Sequence, residues 1–174
     1  MTLSLTPLLS TLEIVAIIQR LAQAIDQDYN SQSLTAVVVL KGAVFFAADL
    51  LRALQTPVAG IEFVQLASYG PRKQSSGTVV TIQALSAEQI LGKHLLVIED
   101  IIDTGRSLAH LLAQLQAHHP CSLKVCVLLD KPSCRQVTVP IDYIGQAIPD
   151  RFVVGYGLDF DEQYRQLPAI YTLA

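Results

Sequence analysis

The chain lacks a cysteine framework: Cys121, Cys126 and Cys134 are odd in number, and no two of them are spaced CxxC. This excludes a disulfide-stapled secreted scaffold and a cysteine-based zinc site, and predicts buried, reduced thiols. Long hydrophobic runs are missing too. No stretch reaches the roughly 18 consecutive apolar residues of a membrane span. The first ten residues carry neither a positive segment nor a long apolar one, so no signal peptide is expected. Basic charge is scarce: 12 Lys and Arg against 15 Asp and Glu leave a net charge of −3. That balance offers no global field to nucleic acid or to an anionic membrane, although a local anion site needs only a few groups. Repeats, linkers and low-complexity segments are absent. The expectation is one soluble, cytoplasmic domain spanning residues 1–174.

What is present is core-forming material. Of 174 residues, 51% are hydrophobic and 16% charged, which suits a globular chain large enough to bury a core. Residues 8–28 show helical spacing, with Leu12, Val15, Ile18, Leu21 and Ile25 predicted on one face. The run 35–40 is short, continuous and rich in β-branched residues, as in a strand covered on both faces. Lys41-Gly42 breaks it, and 43–54 then reads as a buried helix. Strands are predicted at 61–66, 78–83, 94–98, 123–129, 143–148 and 152–157. Helical segments are predicted after Ser86 and over 108–118. The stretch 68–77 is polar and carries two Gly and one Pro, a loop too long for a tight hairpin. Alternating strands and helices predict an α/β domain with a mostly parallel central sheet flanked by helices.

The segment 97–107, Val-Ile-Glu-Asp-Ile-Ile-Asp-Thr-Gly-Arg-Ser, carries the chemistry. An apolar strand brings Glu99 and Asp100 to its carboxyl end, where ligands bind in open α/β sheets. Asp103, Thr104, Gly105, Arg106 and Ser107 then form a turn leading into a helix. Unpaired N–H groups and the helix dipole suit such a turn to a phosphate monoester. Gly105 permits close backbone approach, and Thr104 and Ser107 offer hydroxyl donors. The carboxylates can hold ribose hydroxyls or a hydrated Mg²⁺, which takes one or two carboxylates plus substrate oxygens. A plainer alternative is an N-capped helix whose acids are merely solvated.

The segment resembles the phosphoribosyl-diphosphate-binding motif of type I phosphoribosyltransferases, and more narrowly the hypoxanthine and hypoxanthine-guanine branch. Other elements follow in the family's order. Leu40-Lys41-Gly42 is similar to its diphosphate-binding loop, and Ser68-Tyr69 to the head of its mobile lid. Asp130-Lys131-Pro132 resembles its purine-selecting segment, and the run 149–159 its base-stacking hood, with Tyr164-Arg165 beyond.

The resemblance implies a type I phosphoribosyltransferase fold, with a small hood formed by the N-terminal segment and residues from about 145 to 174. It implies that residues 103–107 hold the ribose 5-phosphate, and that Glu99 and Asp100 bind the ribose hydroxyls and Mg²⁺. Lys41, Gly42 and Arg165 would bind the diphosphate, with a second Mg²⁺ near Asp159. A non-proline cis peptide is expected before Lys41. Asp103 would be the general base at purine N7, and Phe152 would stack on the base. Val153 would bond the base edge, with Asp159 close to the purine, and Lys131 would select a 6-oxo group. The implied partners are a 6-oxopurine, phosphoribosyl diphosphate and further copies of the chain, as a homodimer or homotetramer. A nucleotide-sensing regulator on the same fold would need a basic face, which the charge balance does not provide. Transfer to adenine, uracil or orotate is disfavoured by Lys131 with the Phe152-Val153 hood.

Overall fold

The computed structural model of the protein describes residues 4–30, 32–69 and 78–173, with the backbone alone for 67–69 and 78–83. In chain order the first elements are β1 (Leu5–Leu9), α1 (Thr11–Tyr29), β2 (Leu34–Leu40), α2 (Val44–Ala53), β3 (Val58–Tyr69), β4 (Thr78–Gln83) and α3 (Ala87–Ile90). There follow β5 (His94–Ile102), α4 (Arg106–Gln116), β6 (Ser122–Asp130), a 3-10 turn (Pro132–Cys134), β7 (Tyr143–Ala147), β8 (Val153–Val154) and β9 (Ile170–Leu173). The main sheet has the order β4-β3-β2-β5-β6-β7. Five of its strands are parallel, and β4 runs antiparallel on the edge.

The apolar run of β2 is covered on both faces, as its composition predicts. Ala36 and Val38 join Ile14, Ile18, Leu21, Phe46 and Leu50 of α1 and α2 in one buried cluster. Val37 and Val39 face the other way, onto Leu108, Leu111 and Leu115 of α4. The fold is thus a helix-sheet-helix sandwich, and its parallel strands open their carboxyl ends on one edge. A second, three-stranded sheet of order β1-β9-β8 joins the two ends of the chain.

Several local expectations change. Ser10 caps α1, its Oγ accepting from Glu13 N at 3.3 Å while Glu13 Oε2 accepts from Ser10 N at 2.8 Å. The helix therefore starts at Thr11, and the residues before it form strand β1. Its buried stripe is Ile14, Ile17, Ile18, Leu21, Ala22 and Ile25, while Leu12 is 81% exposed and Val15 49%. Repeats of three residues drift around a helix of about 3.6 residues per turn, and nine residues put Leu12 opposite Leu21. Strand β5 runs on through Glu99 and Asp100 to Ile102, because Glu99, Ile101 and Ile102 still pair with β6. Strand β8 stops at Val154, since Gly155, Tyr156 and Gly157 have φ of 96°, 51° and 102° and turn the chain.

Candidate active site

A cleft of about 310 Å³ opens at the carboxyl ends of the parallel strands. Its walls come from separate elements: Lys41 and Gly42 after β2, Glu99 and Asp100 on β5, the 103–107 turn, and Asp159 with Arg165 near the chain's end. The β2 and β5 residues meet here because parallel strands end on the same edge. The segment after β8 brings Asp159 and Arg165 against them from more than a hundred positions away in sequence.

Three features fix the geometry. Gly105, with φ 82°, is the N-cap of α4 and lines the cleft with Ser107, so the helix begins at the cleft wall. The Leu40–Lys41 peptide is cis. Gly42 and Gly157 are present because no side chain fits. A Cβ on Gly42 would stand 1.7 Å from Asp100 Oδ2, and one on Gly157 would stand 2.0 Å from Gly42 O. The segment around Gly157 is thereby pressed onto the Lys41-Gly42 loop.

The electrostatics are uneven. Burial pushes the Glu99 carboxyl well up, and the Asp100 charge beside it pushes the same way. Asp100 is also raised by burial, against hydrogen bonds from Glu99 and from Ile101 N–H and against the Arg165 charge, which lower it. Ile101 N donates to Asp100 Oδ1 at 2.9 Å. Two adjacent acids held up in this way form an all-oxygen site that a hard divalent cation would relieve. Among the described residues, no group of three or more His, Cys, Asp or Glu is placed to hold a metal without help. The acid pair therefore fits Mg²⁺ only if substrate and water complete the shell.

The cations on the rim are already paired. Lys41 Nζ lies 3.2 Å from both oxygens of Glu162. Arg165 Nη2 reaches Asp159 Oδ1 at 2.8 Å and Glu162 Oε2 at 3.2 Å, and its Nη1 donates to Gly157 O at 2.7 Å. Asp159 also accepts from Glu162 N at 2.9 Å. At the other end of the cleft the Lys131 side chain is 8% exposed, and its Nζ stands 3.7 Å from Asp103 Oδ2 and 3.6 Å from Asp150 Oδ1. Phe152 is half exposed and meets Phe160 edge to face at 5.6 Å, while Val153 is buried in β8.

Of the residues singled out in the sequence, Lys41, Gly42, Glu99, Asp100, Asp103, Thr104, Gly105, Ser107, Asp159 and Arg165 share the cleft wall. Lys131 joins them through Asp103. Arg106 is exposed, Val153 belongs to the neighbouring small sheet, and Phe152 directly precedes it. Ser68 and Tyr69 close β3, but their side chains and residues 70–77 lie outside the described residues. Sequence reasoning passed over Gly157 and Asp150, and it took Glu162 only as a plain partner for Arg165. The signal for Gly157 was a glycine inside an otherwise strand-like run. Asp150 gave none, and for Glu162 only the nearby Arg165 was visible, since its other partner Lys41 lies 121 positions away.

The phosphoribosyl transferase domain family model matches residues 4–161. A hypoxanthine-guanine phosphoribosyltransferase from Mycobacterium avium is 44% identical over 172 residues, covering 95% of this chain and 84% of that protein. A hypoxanthine phosphoribosyltransferase from Salmonella typhimurium is 41% identical over 160 residues, covering 91% and 89%. The crystal structure of a hypoxanthine-guanine phosphoribosyltransferase from Bacillus anthracis superposes with a TM-score of 0.90 at 38% identity, covering 97% of this chain and 98% of that one. With its strand-end turn, acid pair and cis-peptide loop in one cleft, the chain belongs to the phosphoribosyl transferase family.

Proposed function

We propose that the protein is a cytoplasmic purine-salvage transferase. It forms IMP, and GMP, plus diphosphate from hypoxanthine or guanine and 5-phosphoribosyl 1-diphosphate. The observation that carries this reading is the single cleft: a phosphate-sized turn, an acid pair and two cationic side chains surround it, with a buried lysine behind the turn's own carboxylate. The relatives' names point to the same bases.

In this reading the N–H groups of 103–107 and the hydroxyls of Thr104 and Ser107 hold the 5-phosphate. Arg106 takes part through its backbone. Glu99 and Asp100 orient the ribose hydroxyls. Lys41, Gly42 and Arg165 take the diphosphate, for which Lys41 and Arg165 exchange Glu162. Glu99, Asp100 and, near the diphosphate, Asp159 are the residues that would hold Mg²⁺, whose charge neutralises the departing group. Phe152 stacks on the base, Val153 backbone groups bond its edge, and Lys131 donates to the 6-oxygen. An ammonium is donor-only, so it favours oxo over amino there. The bond from purine N9 to ribose C1 forms as the bond from C1 to the diphosphate oxygen breaks, and Asp103 accepts the N7 proton. Ser68 and Tyr69 head the segment that closes over the site and keeps water from the sugar. The small β1-β9-β8 sheet serves as the hood of a single domain over 1–174. Exposed Leu12, Val15, Phe45, Ile61 and Phe63 provide surface for a homodimer or homotetramer.

The test is nucleotide formation from phosphoribosyl diphosphate and Mg²⁺ with hypoxanthine, guanine, xanthine, adenine and uracil. Hypoxanthine and guanine should react, and Lys131→Ala should lose 6-oxopurine kcat/KM by about tenfold or more. Turnover of adenine or uracil alone would overturn the assignment.

A further inference from the structure

Arg135 has no part in the reading above, yet its part-buried side chain packs against the phosphate turn. It follows the 3-10 turn, its side chain is 17% exposed, and Nη2 pairs with Asp130 Oδ1 at the end of β6. Its Nη1 is buried without a hydrogen-bond partner among the described residues. The strap that carries Arg135 is fastened to the turn, because Gln136 N and Val137 N both donate to Thr104 O, at 3.0 and 3.1 Å. Behind Gly105 the fit is tight. A Cβ there would stand 2.7 Å from Val137 O, 3.0 Å from Arg135 Cδ and 3.5 Å from Nη1. Arg135 therefore backs the turn and is not part of the cleft wall.

A guanidinium stays charged at every accessible pH, and a buried donor without a partner calls for a physical reason. Asp130 satisfies one edge of this fork, and the other edge lies under the Gly105 peptide. We propose that Arg135 is a positioning residue for the sugar phosphate. Braced on Asp130, it sets the Thr104-Gly105 peptide from behind, and its open edge keeps a positive charge that a bound phosphate monoester offsets. The inference rests on the reading that residues 103–107 hold the 5-phosphate.

Truncating Arg135 alone would leave Asp130 buried and unpaired, so the informative variant is Asp130→Asn with Arg135→Met, accompanied by Arg135→Lys. Ribose 5-phosphate binding should weaken about ten- to hundredfold in the double variant. Arg135→Lys keeps the charge but loses the fork, and should fall in between. The KM for hypoxanthine at saturating phosphoribosyl diphosphate should stay at the wild-type value, a split that a merely structural role would not give. Unchanged ribose 5-phosphate affinity in the folded double variant, or equal loss for sugar and base, would overturn the proposal. If the double variant does not fold, Arg135→Lys decides by the same split. Wild-type amide signals of residues 104–107 on titration with ribose 5-phosphate separate the two readings. Signals that do not move overturn the phosphate turn itself, whereas signals that move with Arg135 variants unaffected overturn only the role of Arg135.

Discussion

At the amino ends of the parallel strands the polar groups form a closed set, whereas at the carboxyl ends they do not. In the first region Tyr143 Oη and Lys124 Nζ both donate to Asp28 Oδ2 at 2.7 Å, and Lys124 also reaches Tyr143 Oη at 3.2 Å. The ammonium lies 5.5 Å from the ring centroids of Tyr29 and Tyr143. Asp142 Oδ2 accepts from Val125 N at 2.8 Å, and His94 Nδ1 meets Ser122 Oγ at 2.8 Å. In the second region two acids sit side by side, and Arg135 Nη1 and Arg165 Nε are buried without partners among the described residues. Both regions use the same strands, so the contrast is not one of scaffold. Polar groups whose partners are all within the chain add stability, while groups left unmatched await a ligand that supplies the missing charge.

The comparison breaks first if a change at the carboxyl ends proves structural. Asp103→Asn removes the proposed base, and its side chain is already 55% exposed, so the fold has little to lose. Turnover should fall about 10²- to 10⁴-fold, the usual contribution of a general base. Affinity for phosphoribosyl diphosphate and the melting temperature should stay at wild-type values. Equal loss of turnover and sugar-phosphate affinity would remove the base assignment.

Glu99→Gln should move stability upward. Because burial and Asp100 raise the Glu99 carboxyl in the folded state, its contribution is complete below the ordinary carboxylate range. It is lost as pH rises through the raised value. Magnesium-free protein is therefore destabilised at neutral pH, and the neutral amide relieves it. Relief of about 1 kcal/mol corresponds to a rise of about 2–4 °C in Tm for a chain of this size. The variant's melting temperature should also vary less between pH 5 and 8. A Tm lower than wild type without Mg²⁺ would show that the acid pair is a structural element after all.

The two regions also differ in how far the sequence discloses them. The cleft was legible because its core is local: one strand and one turn carry Glu99 to Ser107 in nine consecutive residues. Of the parallel strands, β2, β5 and β6 were legible for the same reason, each carrying a short buried run of apolar residues. Pairings across long separations were not. Lys41 meets Glu162 over 121 positions, Tyr143 meets Asp28 over 115, and nothing in the residues around either one announces the other. A hood from the two ends of the chain was expected, but its strands β1 and β9 were not read as strands. The reason is that β1 carries Pro7, which an edge strand tolerates beside a register shift, and β9 is only four residues long. The face of α1 was misjudged because a three-residue spacing imitates a helical stripe over one turn and departs from it over three.

Tyr143→Phe tests the closed region. The substitution removes the donor to Asp28 and the acceptor for Lys124 while keeping the ring beneath the ammonium. The expected cost is about 1 kcal/mol, the usual net value of such a hydrogen bond. In differential scanning calorimetry it should appear as a lower Tm, with kcat and both KM values unchanged. A kinetic effect at this distance would mean that the two ends are coupled through the strands, and the division between them would fail.

The smallest effect concerns Tyr29, whose hydroxyl burial pushes up to about 12, helped by the nearby Asp142 charge. The unfolded phenol titrates near 10, so the folded state holds its proton more tightly over the interval between the two values. Its stabilising contribution is complete below pH 10 and is lost as pH rises towards 12. Tyr143 and Tyr156 are raised as well, so Tyr29 supplies one of several such contributions. In Tyr29→Phe, stability at pH 7 should change by no more than about 1 kcal/mol, since the hydroxyl gives up a 3.4 Å hydrogen bond to Leu95 O and its hydrogen bond with Ser122. The fall in stability between pH 10 and 12, followed by urea unfolding at each pH, should become shallower without disappearing. An identical slope in wild type and variant would mean that Tyr29 is as open to solvent folded as unfolded, and the amino ends of the sheet would then be less closed than their hydrogen bonds imply.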